Sequence, residues 1–365
     1  MSSQIHVRRR KAIQKRLKKS GMDAILITNE TNVSYLTGFT GDSSSLWLEP
    51  SREIFVSDSR YTTQIAEECG DLETYIRDSS STKIQAAATV AKKSKANSIG
   101  IESASVSKQM FDQLNSALAS ELVDTDGWVE DLRSIKDKSE IALIRESIRI
   151  NQRAFEVIRA QLSGEQTEKQ IAHNLEHQIR AFGGTRCSFD PIVGVGARGA
   201  LPHANVSDQQ IGDSSFVLID WGTQFKGYAS DLTRVLATAK IPPKLRKIHE
   251  IVLKAQLAAI AEIRPGVAFK TADKAARSVI SKAGYGKKFG HGLGHGIGLQ
   301  IHEHPFMSPI HEGVFATNMV VTIEPGIYLP GWGGVRIEDD ILVTPDGHEV
   351  LSDLPKSLDE CTVQL

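Results

Sequence analysis

Cysteine is scarce in this chain. Cys69, Cys187 and Cys361 are the only three, far apart and in no paired spacing, which excludes a disulfide framework and a zinc knuckle. Nothing beside them suggests a nucleophile. A surplus of one charge is also missing: 43 basic residues against 44 acidic ones leave a formal charge of −1. Such a molecule has no overall field suited to drawing in a polyanion or an anionic membrane, so neither nucleic acid nor membrane is an expected partner. Long apolar runs are absent as well. No window approaches the roughly 18 apolar residues that a span requires, and the basic N-terminal stretch is not followed by an unbroken apolar one, so a cytoplasmic protein is the default expectation. Glycine and proline fall short of levels that mark disorder or a fibre. The one basic cluster (Arg8, Arg9, Arg10, Lys11, Lys15, Arg16, Lys18, Lys19) overlies a helical pattern in which Ala12, Ile13 and Leu17 face inward and Gly21 ends the helix. It reads as a solvated helix face rather than a nucleic-acid patch.

A length of 365 residues exceeds the usual size of one hydrophobic core, so two domains are expected. In the first, Asp23 to Thr28, Leu46 to Leu48 and Ile54 to Val56 read as strands. Helical patterns follow at Tyr61 to Glu68, Lys83 to Lys93 and Ser107 to Ala119, with strand-like runs at Thr74 to Ile76 and Ser98 to Ile101. Strands alternating with helices predict an α/β domain over residues 1–130. It closes near Val123 to Trp128, where Asp124, Asp126 and Gly127 mark a turn.

Over residues 131–365 the character changes. A long helix starts at Asp137, with Glu140 three residues on as its capping partner, and a second opens at Thr167 with Gln170 and runs to Gly183. Strand-like runs then appear at Phe216 to Asp220, Leu232 to Ala237, Val320 to Glu324 and Val335 to Val343, with helices at Pro243 to Ile263 and Lys270 to Lys282. Grouped helices and turn-linked strands predict an α+β domain with antiparallel sheet.

Five segments of this second domain carry acidic or imidazole groups where a purely structural sequence would be apolar. The run Phe216-Val217-Leu218-Ile219 ends in Asp220, and Ser230-Asp231-Leu232 returns eleven residues later, after the turn at Lys226-Gly227, as the other arm of a hairpin. A lone Asp at a strand end is more often a turn former; the pair raises the alternative of two carboxylates facing each other across one sheet. Phe289 to Gly298 interleaves five glycines with His291 and His295, a pattern that no helix interior tolerates and that lets backbone approach something closely. Glu324 and Glu338 each end or interrupt a β-branched run, where an unpaired charge would cost several kcal/mol. Buried carboxylates need a cation. Two Asp, two Glu and one His make five mostly hard donors, and their four negative charges balance two divalent ions. That donor set suits catalytic Mn, Fe, Co or Zn better than a thiolate-rich structural zinc.

The order Asp, Asp, His, Glu, Glu, in the settings Ile219-Asp220-Trp221-Gly222, Ser230-Asp231, Gly294-His295-Gly296, Ile323-Glu324-Pro325-Gly326 and Arg336-Ile337-Glu338-Asp339, resembles the pita-bread metallopeptidases. That family contains aminopeptidase P, prolidase and methionine aminopeptidase. Tyr35-Leu36-Thr37-Gly38-Phe39 and Asp58-Ser59-Arg60-Tyr61 resemble the creatinase-like N-terminal domain of its proline-specific branch, so the likeness covers nearly the whole chain. Each motif alone is weak; the set is specific.

The resemblance implies a creatinase-like α/β domain followed by an α+β pita-bread catalytic domain. It implies two divalent metal ions per chain, with manganese expected and cobalt, iron or zinc as alternatives. Asp220 would chelate one ion, Asp231 and Glu338 would bridge both, and His295 and Glu324 would bind the other. His203 and His302 would contact the substrate or the tetrahedral intermediate, His291 would lie near the substrate pocket, and Glu324 would shuttle a proton. Tyr328 and Arg336 would stand behind the ligands. Trp221 departs from the small or aliphatic residue expected after the first Asp and is read as a change in the pocket wall. The implied substrates are peptides with proline in second position, and a homodimer or higher homo-oligomer is expected. The implied activity is that of an Xaa-Pro aminopeptidase, with an Xaa-Pro dipeptidase as the alternative. Choosing the former rests on the lack of an added basic residue beside His291 to His302 or in Tyr328 to Gly334; Arg198 and Arg336 are the two cations able to clamp a C-terminal carboxylate. A metal-free binding module and a metal-independent creatinase-like hydrolase are the competing classes, and the intact acidic set argues against both.

Overall fold

In the computed structural model, which describes residues 2–365, the chain divides into two units, Met1–Arg133 and Ser134–Leu365. Helix α1 (Ser2–Ser20) opens the first and stops where Gly21 takes φ 75°. Ile13 and Leu17 are fully buried on its inner face. Arg10 departs from the solvated face expected of it: it is buried, donating to Glu53 and Asp71 at 2.6 Å each. Two acceptors that neutralise it make that position tenable for a charge.

The strands β1 (Ala24–Ile27), β2 (Ser45–Leu48), β3 (Glu53–Asp58), β4 (Glu73–Arg77), β5 (Ser98–Ile101) and β6 (Glu121–Asp124) form one sheet in the order β4-β3-β2-β1-β5-β6. The β1–β2 and β2–β3 pairs are antiparallel, whereas β3–β4, β1–β5 and β5–β6 are parallel. Helices α3 (Thr62–Glu68) and α5 (Lys108–Ala117) supply the crossovers of the β3–β4 and β5–β6 pairs, α4 (Lys83–Ser94) links β4 to β5, and Ala87, Val90, Leu114, Leu26, Trp47 and Val56 share the core of this unit. Helix α2 (Glu30–Thr37) had no signal in the apolar spacing, because polar Asn32 and Thr37 occupy its buried face. Asn32 there donates to Glu102 and Glu130 at 2.6 Å each. Its ends obey local rules: the Asn29 side chain accepts from the Thr31 and Asn32 N–H groups, and Gly38 closes it at φ 82°. A short helix α6 (Trp128–Ser134) follows.

In the second unit α7 (Lys138–Ala160) and α8 (Glu168–Ala181) both start with reciprocal capping boxes, Asp137 with Glu140 and Thr167 with Gln170. The sheets comprise β7 (Arg186–Cys187), β8 (Ile192–Val195), β9 (Phe216–Trp221), β10 (Thr223–Phe225), β11 (Tyr228–Ala229) and β12 (Leu232–Ala237). After helices α9 (Pro243–Ile260) and α10 (Phe269–Lys282) come β13 (Gly294–Gly296), β14 (Glu303–Met307), β15 (Val320–Ile323), β16 (Gly326–Leu329), β17 (Gly333–Arg336), β18 (Asp339–Thr344) and β19 (Gly347–Val350). The two sheets that carry the site are β12-β9-β8 and β14-β13-β15-β18-β19, with antiparallel neighbours throughout. The run read as one strand from Val335 to Val343 is two. It breaks at Ile337–Glu338, where the Glu338 N–H leaves its own ladder and donates to the Thr233 carbonyl.

Helices α9 and α10 cover one core, with Val252, Ala255, Ala276, Leu218, Val321 and Ile341 among its residues. Helices α7 and α8 cover another, which includes Phe155, Leu175, Ile219 and Trp221. The Trp221 side chain belongs to this second core rather than to a pocket wall. It is fully buried, stacked on Phe155 with ring centroids 4.2 Å apart, and donates to the Asn151 carbonyl. Strand alternation accounts for the correction, since neighbours on β9 point to opposite faces and Asp220 takes the site side.

Candidate metal centre and substrate cleft

Strand β9 brings Asp220 opposite Thr233 of β12, and Asp231 lies two residues before Thr233. A period of two therefore sets all three side chains on one face. Strand β13 supplies His295, and its glycines explain how. A Cβ at Gly294 would lie 2.1 Å from the Thr322 carbonyl oxygen and one at Gly296 2.3 Å from that of His304, so only glycine on either side lets this strand pack between its neighbours. Glu324 follows the end of β15, and its N–H donates to the Leu293 carbonyl. Glu338 sits in the break between β17 and β18.

These elements converge. One donor atom each from Asp231, His295 and Glu338 lie within 4.8 Å of one another. His295 Nε2 is 3.3 Å from Glu324 Oε1 and 3.8 Å from Asp231 Oδ2. Its Nδ1 donates to the Gly296 carbonyl at 3.1 Å, leaving the lone pair on Nε2 aimed at the carboxylates. Burial, aided by the neighbouring His302, pushes its pKa down to about 3, so the ring is the neutral base that a metal ligand must be. Asp220 Oδ1, Asp231 Oδ1 and Glu338 Oε1 are buried with no hydrogen-bond partner. Burial raises the pKa of Asp231 and Glu338 well above the usual carboxylate range, and the surrounding carboxylates add to it; burial also pushes Glu324 up to about 7. Unpartnered buried oxygens in a cluster of like charge call for a cation, and the residues fit a divalent metal site.

A cavity of about 910 Å³ opens onto this cluster. His203, on the loop after a turn of 3₁₀ helix at Gly196–Ala200, His291 and His302 all line it with the five candidate ligands. The His302 ring meets His295 edge-on at 4.4 Å. Tyr328 does not line it and forms a relay behind it: Arg336 Nη1 donates to Tyr328 Oη at 2.8 Å, and Tyr328 donates to His291 Nε2 at 2.9 Å. That direction follows from His291 Nδ1, which donates to the Gly292 carbonyl and leaves Nε2 as acceptor. Burial holds His291 down at about 4 and Tyr328 up at about 12, so both are neutral in a chain that starts at the Arg336 guanidinium.

Arg336 also donates to Asp220 Oδ2 and, through Nε at 3.0 Å, to Thr233 Oγ1. Arg198 points elsewhere. Its Nε donates to both oxygens of the fully buried Glu168 and its Nη2 to the Asn205 carbonyl, so neither cation considered as a carboxylate clamp has a free fork.

Three side chains bound to the candidate ligands escaped the sequence reading. Thr233 accepts from Arg336 and donates to Glu338 Oε2 at 2.6 Å; Thr322 accepts the His295 N–H and donates to Glu324 Oε1 at 3.2 Å. Asp340 Oδ2 accepts the Asp231 N–H at 3.1 Å. Each lies two residues from a candidate ligand on a strand or at its end, and that spacing was the available signal.

Residues 142–345 match the profile of metallopeptidase family M24, and residues 9–135 match the creatinase/prolidase N-terminal domain. An uncharacterised peptidase of Bacillus subtilis, YqhT, is 37% identical over 93% of this chain and 96% of its own. Among solved structures, an Xaa-Pro dipeptidase from Bacillus anthracis is 37% identical with a TM-score of 0.92, covering 97% of this chain and 99% of its own. An X-Pro aminopeptidase from Thermotoga maritima is 35% identical with a TM-score of 0.85, covering 96% and 100%. With matches over both units and a cluster of acidic residues and histidine in the second, this chain belongs to metallopeptidase family M24, in its Xaa-Pro peptidase branch of pita-bread fold.

Proposed function

We propose that this chain is an Xaa-Pro aminopeptidase, releasing an N-terminal residue from proline in peptides of three or more residues. We further propose that Asp220, Asp231, His295, Glu324 and Glu338 hold two divalent ions, manganese first among manganese, cobalt, iron and zinc. The observation that supports the metal reading is the set of three buried, unpartnered oxygens on Asp220, Asp231 and Glu338. Ions held there would supply Lewis-acid polarisation of the scissile carbonyl and lower the pKa of a water to about 7.

The chain's own groups do the rest. Glu324 takes a proton from the attacking water and delivers it to the departing proline nitrogen. His203 and His302 donate to the oxygen that becomes an oxyanion, in a cleft where little water competes. The relay through Arg336, Tyr328 and His291 keeps the His291 ring fixed at the cleft wall. A proline nitrogen in peptide linkage carries no N–H, so selection for it works by the shape of a flat ring rather than by a hydrogen bond.

The choice of aminopeptidase turns on charge at the far end of the cleft. A dipeptidase must pair the substrate's C-terminal carboxylate, best with a bidentate arginine. Among the described residues that line the cavity, Arg336 is the one Arg or Lys, and its fork is already engaged by Asp220, Tyr328 and Thr233. The second reading, an Xaa-Pro dipeptidase, is favoured by the activity ascribed to the B. anthracis relative. Measuring kcat/KM for an Xaa-Pro dipeptide and for its Xaa-Pro-Xaa extension at equal metal loading separates them. Preference for the tripeptide supports the aminopeptidase, and preference for the dipeptide establishes the other.

A further inference from the structure

Lys136 is a lysine with a side chain only 1% exposed, and it is outside the chemistry described above. Its ammonium lies 3.0 Å from Glu303 Oε1, on a carboxylate side chain 3% exposed, and donates to the Ser134 carbonyl at 3.3 Å. Taking two such charges out of water is costly, and an apolar pair of similar volume is often as stable, so stability alone does not account for this pair.

What it enforces can be read from its attachments. Lys136 is itself anchored: its N–H donates to the Asn318 carbonyl, Asn318 in turn donates to Val343 of β18, and Asp137 next to it caps α7. Glu303 begins β14 and is preceded directly by His302. The connection from β13 to β14, residues 297–302, is neither helix nor strand; the Ile297 N–H donates to the Val320 carbonyl and the Gly298 carbonyl accepts the Ala229 N–H, which anchors its start and leaves the stretch leading to His302 to other contacts. The Glu303 carboxylate holds that stretch from both sides. Oε2 accepts the Gln300 N–H at 3.4 Å, and Oε1 would stand 2.3 Å from a Cβ at residue 298, so the loop passes close over the carboxylate only because residue 298 is glycine. The same loop ends in the imidazole that lies edge-on to His295 at 4.4 Å.

We propose that Lys136 is a positioning residue for His302, acting through Glu303 to fix the loop that carries this imidazole into the cleft; the proposal rests on the reading of His302 as a transition-state donor. Misplacing a reacting or stabilising group by about 1 Å costs up to about a hundredfold in rate.

The test is a double-mutant cycle on the metal-loaded full chain, using an Xaa-Pro-Xaa peptide. Lys136→Met is expected to lower kcat about tenfold or more, with KM and bound metal near wild type. Lys136→Arg is expected to recover most of that loss. In Lys136→Met/His302→Ala the rate is expected to be no lower than in His302→Ala alone, because a residue that acts by placing His302 has nothing left to place. Multiplying losses, or a shift confined to KM or to thermal stability, would overturn the proposal. Lys136→Met leaves the buried Glu303 carboxylate without the Lys136 cation, so Lys136→Met/Glu303→Gln, which lacks both charges, decides the matter if the single variant does not fold: full activity in it refutes the proposal. A fully active His302→Ala would refute the role of His302 itself, a separate outcome.

Discussion

Replacing Asp231 with Asn should produce two opposite effects depending on metal. In the absence of metal, the buried carboxyls of Asp231, Asp220, Glu324 and Glu338 repel one another. With donor atoms of Asp231 and Glu338 within 4.8 Å, two full charges would repel by ~3.5 kcal/mol at an effective dielectric constant of about 20. The folded carboxyls have raised pKa values, so their contribution to metal-free stability is complete below the unfolded value of 3.8 for Asp231 and is lost as pH rises. At pH 7 partial protonation relieves some of the strain, leaving about 1–3 kcal/mol to be recovered by the neutral amide. For a domain of this size that is a rise of roughly 3–10 °C in Tm, growing with pH. Loaded wild type behaves differently, since metal at a hundred times its Kd stabilises by about 2.7 kcal/mol. The Asn variant forfeits this along with its activity. Thermal unfolding of both proteins, with and without metal from pH 5 to 8, gives the assay. A metal-free variant less stable than metal-free wild type, or one stabilised as much by metal, would mean that Asp231 neither repels its neighbours nor holds metal.

His302→Ala is expected to retain its metals and lose on the order of a hundredfold in kcat, as removal of an oxyanion donor does; loss of a metal ion measured in that variant would make His302 a ligand instead. His249, buried in α9, is held down at about 4 first by burial and then by the charges of Arg234 and Arg246. Its stabilising share is therefore complete above the unfolded value of about 6.5 and is lost as pH falls toward 4, by about 3 kcal/mol; urea titrations of His249→Gln should show a flatter profile across that interval. Arg198→Ala should lower kcat/KM for Xaa-Pro dipeptides and for Xaa-Pro-Xaa tripeptides by the same factor, because its guanidinium serves Glu168 and Asn205 rather than a substrate carboxylate. A loss confined to dipeptides would make it the clamp.

Much of this architecture is legible in the chain because local rules and burial agree. The capping boxes at Asp137 and Thr167 start helices, the β-branched runs at Phe216 and Val320 form strands, and glycines flank His295 where backbones must touch. Legibility fails where a buried face is polar. Helix α2 hides because Asn32 replaces an apolar residue at its core, and Arg10 looks like surface until Glu53 and Asp71 meet it from elsewhere in the chain. Partners of this kind are distant in sequence, so no window contains them. The same holds at the candidate site. Acidic residues in apolar runs advertise themselves, whereas Thr233, Thr322 and the Lys136–Glu303 pair look ordinary until folding joins them to the residues that they orient. The break at Glu338 is another case, since a continuous β-branched run conceals a residue whose N–H bonds to Thr233 on a different sheet.

Whether Asp220, Asp231, His295, Glu324 and Glu338 hold two ions that the reaction needs is decided by metal stoichiometry measured together with activity. The protein is stripped with a chelator, then titrated with Mn²⁺ while bound metal is counted by elemental analysis and hydrolysis of an Xaa-Pro-Xaa peptide is followed. The stripped protein is expected to be inactive, with recovery on titration and saturation at two ions per chain. Full activity in protein from which all metal has been removed would overturn metal-dependent hydrolysis.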